Sequence, residues 1–204
     1  VGTTAAHLQS RGHQVEEATL TYDYEEYLRA MVVLWSIGID LFHDEMAAEF
    51  GRAVDERTLE PVTLAQYHWA KTLTYVDYQN AVDVINRVNR DAAHFFERYD
   101  VLITPTLSRV PQPIGYYSQN NPDLDFLEFF RRCDESMAYL PLFNMSGQPA
   151  ISLPLGMSQS GLPIGVQFAG RFGDEATLLR LARAFEIAMP WKARQPAIHV
   201  SNID

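Results

Sequence analysis

Few side chains in this sequence could perform covalent chemistry. Its two lysines are Lys71 and Lys192, its single cysteine is Cys133, and one His-Asp-Glu run begins at His43. A lysine acts as a base only when it is unprotonated, and a catalytic thiolate needs a partner that lowers its pKa. No glycine-rich serine loop lies near either lysine, and Cys133 has no obvious histidine partner. We therefore expect both lysines to be solvated charges and Cys133 to be a buried structural thiol.

The run from His43 to Glu45 does not have the spacing of a metal site. Two imidazoles bind one zinc ion from a helix when they are four residues apart, and no second histidine stands at that distance. We therefore expect no metal here.

Substrate-binding residues are easier to place than reactive ones. Thr104 and Thr106 end a continuous apolar segment that begins at Val101 and reads as a buried strand. Ligands of α/β proteins collect beyond the carboxyl ends of strands, and the long irregular segment 107–123 follows directly. Thr104 and Thr106 are thus candidates for lining a pocket. The alternative is that their hydroxyls cap the turn beside Pro105.

A second candidate pair is Phe143 and Asn144, which precede a predicted hairpin. We expect segments 104–121 and 143–144 to converge on one concave surface, since both adjoin strands of one sheet. The alternative role for Asn144 is to bond the backbone of its own loop. Gln167, inside an apolar strand, is expected to be a structural hydrogen-bonding residue because a buried amide needs partners.

The hairpin and the helix after it have the clearest pattern in the chain. Apolar residues alternate along both arms, the period of a strand. They are Ile151, Leu153 and Leu155 in the first arm and Ile164, Val166 and Phe168 in the second. A helix is then predicted from Gly173 and Asp174, with one buried stripe. That stripe consists of Leu178, Leu181, Ala182 and Phe185.

The remaining pattern predicts helices with one further strand. We expect a helix over 3–11 with a left-handed cap at Gly12, then a strand over 13–18. A helical pattern over 24–50 is expected to be either kinked or divided at Gly38 and to end at Gly51. Thr63 and Gln66 form a capping-box signature for a helix reaching about residue 98, and another helix covers 124–140. This order of elements indicates an α/β layered domain with a mixed sheet.

Three segments together resemble the carboxy-terminal part of the amidase signature family. They are the Asn-x-x-Gly-x-Pro-Ala-x-Ser-x-Pro run at 144–154, the Gly-Leu-Pro-Ile-Gly-Val-Gln run at 161–167, and the Asp-Glu-Ala-Thr-Leu-Leu run at 174–179. The resemblance implies an α/β/α layered fold with a mixed central sheet. It also implies that residues 1–204 are the carboxy-terminal part of a single amidase domain whose upstream catalytic portion is absent.

The family hydrolyses carbon–nitrogen amide bonds with a serine nucleophile, a second serine and an unprotonated lysine. That Ser-Ser-Lys triad is not found in this chain, so the resemblance implies that the chain alone is inactive. What the chain would supply is part of the pocket for a small-molecule amide. No cofactor is implied.

Met137 narrows the implied substrate. Glutamine-dependent tRNA amidotransferase A-type subunits resemble the chain too, and they carry at this position an acidic residue that holds the amino group of glutamine. We therefore favour neutral, apolar amides and count Met137 among the substrate-binding candidates. A fragment of such a tRNA amidotransferase remains an alternative, and a non-catalytic binding or scaffold protein is another.

Composition excludes several other classes. A formal net charge of -10 disfavours a nucleic-acid or membrane surface, both of which need clustered basic residues. The longest apolar run is too short to span a membrane. A single cysteine fits a reducing compartment, so we expect a cytoplasmic protein. Apolar surface at the sheet would permit a homodimer.

Overall fold

A computed structural model of the chain describes residues 1–196 and 198–200. The helices are α1 (Gly2–Ser10), α2 (Tyr24–Ser36), α3 (Ile39–Phe50), α4 (Pro61–Ala70), α5 (Tyr75–Arg98), α6 (Phe126–Met137), α7 (Pro141–Ser146) and α8 (Glu175–Ala188). The strands are β1 (Val101–Pro105), β2 (Ala150–Met157) and β3 (Pro163–Gly170). The predicted α/β class is confirmed.

The chain divides into two compact units. The sheet unit comprises Val1–Ala18, Phe96–Thr106 and Gly147–Asp204. The helical unit comprises Thr19–Phe95 and Leu107–Ser146.

The sheet unit is built on three strands in the order β1-β3-β2. Both pairings are antiparallel, so the parallel pairing that a mixed sheet requires does not occur among the described strands. The predicted hairpin is confirmed as β2 and β3. Its register shifts between Leu153 and Gly156, where Pro154 has no N–H to donate to the ladder.

One face of this sheet packs against α8, whose capping and burial follow the prediction. Asp174 caps the helix by accepting a hydrogen bond from the Thr177 backbone N–H. The hydrophobic core of the unit is formed by side chains that are at least nine-tenths buried: Leu8, Leu153, Leu155, Val166, Phe168, Leu178 and Phe185. Leu181 and Ala182 complete the predicted stripe as partly buried neighbours. The face of the sheet toward α8 is therefore apolar and covered, and on the opposite face Gln167 and Ala169 of β3 are buried as well.

The helical unit confirms the predicted division of the 24–50 segment. Gly38 has a φ of 84° and lies at the start of α3, and Gly51 has a φ of 62° at its end. Both angles lie in the left-handed region that favours glycine. Asp23 caps α2 by accepting a hydrogen bond from the Glu26 backbone N–H.

Two predictions from the sequence pattern are wrong. The predicted strand over 13–18 has no regular structure; among the described residues no strand pairs with it, and the Val15 carbonyl accepts a hydrogen bond from the Gln9 side chain. The predicted helix from Thr63 to about residue 98 is two helices. Thr74 and Asp77 interrupt it, because each side chain bonds the backbone N–H of the other and starts α5 there.

The Thr63–Gln66 capping box is also wrong. The helix begins with Pro61 in its first turn, and neither side chain caps it. Thr63 bonds the side chain of Gln119, and the Gln66 Nε2 donates to the Ser36 hydroxyl at 3.0 Å. The two side chains that the sequence pattern predicts to cap the helix therefore bond residues distant in the sequence instead.

The helix predicted over 124–140 is shorter, spanning Phe126–Met137 with Asp125 as its cap. A further short helix, α7, follows it and was not predicted. None of the helices in the described part of the chain is both long and apolar enough to cross a membrane.

Candidate functional site

The face of the sheet opposite the core carries a cluster of polar side chains from all three strands. Thr104 of β1 pairs with Gln167 of β3, which pairs on its other side with Ser152 of β2. The buried Gln167 Nε2 donates to the Thr104 hydroxyl at 3.1 Å, as expected of an amide that must find partners. The hydroxyls of Thr106 and Ser152 lie 2.6 Å apart. We call these four residues the polar sheet cluster.

Gly165 makes the contact between Thr106 and Ser152 possible. A Cβ atom at this position would lie 2.7 Å from the Thr106 hydroxyl and 2.8 Å from the Ser152 hydroxyl, closer than real contacts allow. The Thr106 backbone N–H also donates to the Gly165 carbonyl at 3.0 Å. The chain is thus fixed where β1 ends and the long loop begins.

The candidate residues Thr104 and Thr106 are half-buried in this cluster. Among the described residues, their hydroxyls bond side chains on neighbouring strands, and no bond caps the turn beside Pro105. The turn-capping alternative is therefore not what the geometry shows. That they line a pocket stays a prediction.

The other candidates lie in the helical unit. Met137 is the last residue of α6 and is half-buried. Phe143 and Asn144 lie inside α7, where Phe143 is buried and Asn144 is exposed. The Asn144 backbone N–H bonds the Leu140 carbonyl at 3.3 Å, a helical bond that fixes its position. The convergence of these residues with Thr104 and Thr106 stays a prediction.

The carboxyl end of α6 is held by the long loop. The Ser108 backbone N–H donates to the Ser136 carbonyl at 3.0 Å, and its hydroxyl donates to the Glu135 carbonyl. Tyr117 and Ser136 share a hydroxyl–hydroxyl bond, and Arg109 pairs with Glu135 at 3.0 Å. The last carbonyls of a helix have no partner within it, so the loop satisfies them and fixes the neighbourhood of Met137.

A buried carboxyl group lies one turn earlier on α6. Asp134 is 1% exposed and accepts a hydrogen bond from the Tyr24 hydroxyl of α2. Burial raises the pKa of Asp134, and the Tyr24 hydrogen bond and the Arg131 charge oppose that rise. Burial of Tyr22, together with the nearby Asp134 charge, raises the pKa of Tyr22. Sequence reasoning missed this group because its only signal was one more acidic residue in a helix.

We expect Asp134→Asn to gain stability relative to the native protein as the pH rises from acidic to neutral. A raised pKa means that the folded state binds the proton more tightly, so this stabilisation is present below the unfolded pKa and is lost as pH rises through the folded pKa. The asparagine has no such loss. Urea unfolding across this pH range measures the difference. Asp83→Asn, at an exposed position on α5, is the control for the loss of a helical carboxyl group.

The potentially reactive groups are held in unreactive states. The Lys71 ammonium donates to the Tyr67 hydroxyl at 2.5 Å and pairs with Asp44 at 3.3 Å. The Tyr67 hydrogen bond and the Asp44 carboxylate raise the pKa of Lys71, so it stays protonated and cannot act as a base. Burial raises the pKa of Cys133, which disfavours the thiolate. Lys192 is exposed.

Residues 1–179 match the family model described as Amidase. The chain therefore belongs to the amidase family, the class that the three sequence segments indicated.

Individual relatives agree with this assignment. The chain is 31% identical over 199 residues to the 6-aminohexanoate-cyclic-dimer hydrolase of Paenarthrobacter ureafaciens, covering 95% of this chain and 40% of that protein. A solved structure of 6-aminohexanoate cyclic dimer hydrolase superposes with a TM-score of 0.81 and 30% identity, over 96% of this chain and 42% of that one. The A-type subunit of the glutamyl-tRNA(Gln) amidotransferase of Roseiflexus sp. (strain RS-1) is 34% identical over 161 residues, 78% of this chain and 31% of that protein. The chain thus spans about two fifths of the length of the first curated relatives it matches.

Proposed function

We propose that this chain is the carboxy-terminal portion of an amidase that hydrolyses the carbon–nitrogen bond of small amides. The observation that carries the proposal is the family match over residues 1–179, made by a chain that spans only about two fifths of its relatives. In this proposal the serine nucleophile and its lysine base lie in the protein outside these 204 residues.

The proposed reaction has two steps. The serine attacks the amide carbonyl, the amine leaves, and water then hydrolyses the acyl-enzyme. The base must be a neutral amine, and Lys71 is unsuited because it is exposed, hydrogen-bonded and ion-paired as a cation. This chain would instead contribute binding surface, from Thr104 and Thr106 in the sheet unit and from Met137, Phe143 and Asn144 in the helical unit.

The substrate is proposed to be a neutral, largely apolar amide, linear or cyclic, in a cytoplasmic enzyme. Met137 supports this choice because an uncharged thioether contacts apolar groups well and cannot pair with the ammonium of glutamine. The likeness to hydrolases of the 6-aminohexanoate cyclic dimer supports it as well. The tRNA amidotransferase A-type subunit is the second candidate, favoured by the 34% identity to the Roseiflexus protein.

The test is a substrate comparison with the intact protein that contains this chain. We expect measurable turnover of aliphatic anilides and small cyclic amides and little turnover of glutamine. Strong glutamine hydrolysis without activity on the apolar amides would favour the amidotransferase. Inactivity on every amide, by folded protein that includes the upstream portion, would favour a binding or scaffold role.

A further inference from the structure

A cavity of about 300 Å³ lies within the helical unit, between the second half of α3 and the segment that follows it. Its walls are mostly apolar, and its lining includes Met46, Phe50, Val54 and Leu59. α3 has no fully buried residue along its length, and Phe50 is 67% exposed. An apolar cavity of this size is at the lower end of the range found for small-molecule sites. None of these residues belongs to the proposed amide pocket.

Three polar side chains line the same cavity, those of His43, Arg52 and Thr58. The Thr58 hydroxyl already donates to the Ala53 carbonyl at 2.7 Å, which leaves two groups for a ligand. The Nε2 atom of His43 is buried and has no hydrogen-bond partner within the described part of the chain. A buried polar atom without a hydrogen-bond partner destabilises the protein. A ligand that forms a hydrogen bond with this atom removes that penalty and so gains binding free energy. The Arg52 side chain is the second group, and its guanidinium makes no ion pair with any described residue.

Nearby carboxylates already have other partners. Asp55 is paired with Arg57, whose Nη2 lies 2.5 Å from its Oδ2 atom. Asp44 accepts the Tyr67 hydroxyl and pairs with Lys71. The Arg57 hydrogen bonds and, to a smaller extent, the Arg52 charge lower the pKa of Asp55. Arg52 itself makes no salt bridge with any described residue, so its guanidinium can still donate to an anionic ligand beside the apolar cavity.

We propose that this cavity binds a small free carboxylic acid with an apolar chain. The chain would lie against Met46, Phe50 and Leu59, and the carboxylate would accept hydrogen bonds from the Arg52 guanidinium and from His43 Nε2–H. Arginine suits a carboxylate because its donors match both oxygens. An alkylammonium of the same length has no acceptor for Arg52 and is repelled by its charge. The site is independent of the proposed amide hydrolysis.

Hexanoate is the probe that tests the proposal. We expect its titration into the purified protein, followed by NMR shifts of residues 43–59, to show saturable binding. Arg52→Gln should weaken binding about tenfold or more, because one charge-assisted bond is lost. Ala47→Leu should weaken it as well, since Ala47 lines the cavity and the larger side chain fills it. Arg29→Gln removes the same charge from an exposed position on α2 and should leave binding unchanged.

Three results would overturn the proposal. They are no saturable hexanoate binding by the folded protein, equal binding of hexylammonium, and unchanged hexanoate binding by a folded Arg52→Gln variant. The cooperative unfolding transition of each variant shows that it is folded, so a loss of binding is not mistaken for a loss of structure.

Discussion

Replacing Phe185 with alanine is expected to lower the free energy of unfolding of the sheet unit by about 3–5 kcal/mol. Phe185 is 1% exposed, and its ring lies 5.3 Å from those of both Phe168 and His7. Truncation removes apolar area from the core and leaves a cavity beneath β3, whose neighbours can collapse only in part. Urea unfolding followed by hydrogen exchange of the β3 amides measures the loss.

The control for Phe185→Ala lies on the same helix. Ile187 is 66% exposed, so Ile187→Ala removes a large apolar side chain without opening a cavity. We expect that variant to change stability by no more than about 0.5 kcal/mol. Equal losses in the two variants would mean that α8 does not pack on the sheet through the stripe that includes Phe185.

The second large effect is expected from Met137→Asp in the proposed intact amidase. If Met137 contacts the substrate, the new carboxylate must lose its water when an apolar amide binds, and kcat/KM should fall roughly tenfold to a hundredfold. Met137→Asn should have a smaller effect because it adds no charge. Turnover of the same amides by all three proteins gives the comparison.

A charge elsewhere on α6 separates contact with substrate from general damage to the helix. Leu127 is 52% exposed near the start of α6, and Leu127→Asp should leave the kinetics nearly unchanged. Unaltered kinetics for Met137→Asp would show that this side chain does not face the substrate. A fall in folded protein without a change in KM or kcat would mean that Met137 is structural.

The parts of the fold that sequence predicts best are those in which local and tertiary preferences agree. In β2 and β3 the predicted alternation coincides with the buried face at Leu153, Leu155, Val166 and Phe168, although Ile164 at the start of β3 is 42% exposed. In α8 the Asp174 cap coincides with the start of the stripe. Gly38 and Gly51 were predictable for the same reason, since a left-handed backbone angle is a local property of glycine.

The parts that sequence misses depend on partners far along the chain. Thr63 and Gln66 match a cap, yet they bond Gln119 and Ser36 instead. The segment 13–18 has a strand's composition, but a strand exists only where another strand pairs with it. The helix α7 has only 6 residues. That is too short for a helical period of apolar residues to be recognised in the sequence.

The candidate site divides in the same way. The sequence identifies Thr104 and Thr106 as candidates because they end an apolar segment. In the structure Thr104 lies near the end of β1, and Thr106 directly follows its last residue, Pro105. Their bonds to Gln167 and Ser152, and the closeness that Gly165 permits, depend on register across three strands. The bonds that join Ser108 and Tyr117 to the end of α6 could not be predicted from the sequence. Ser108 donates to a backbone carbonyl, which every residue has, and Tyr117 bonds the hydroxyl of Ser136, a frequent residue type.

The proposed division of roles can be tested by assaying amide hydrolysis with the purified 204-residue chain, alone and after mixing with the proposed upstream portion. Because the chain is proposed to supply binding surface and neither nucleophile nor base, the chain alone should show no turnover and no labelling by a serine-directed covalent probe. Activity that appears only in the mixture would agree with that division. Turnover by the chain alone, retained after contaminants are removed, would contradict it.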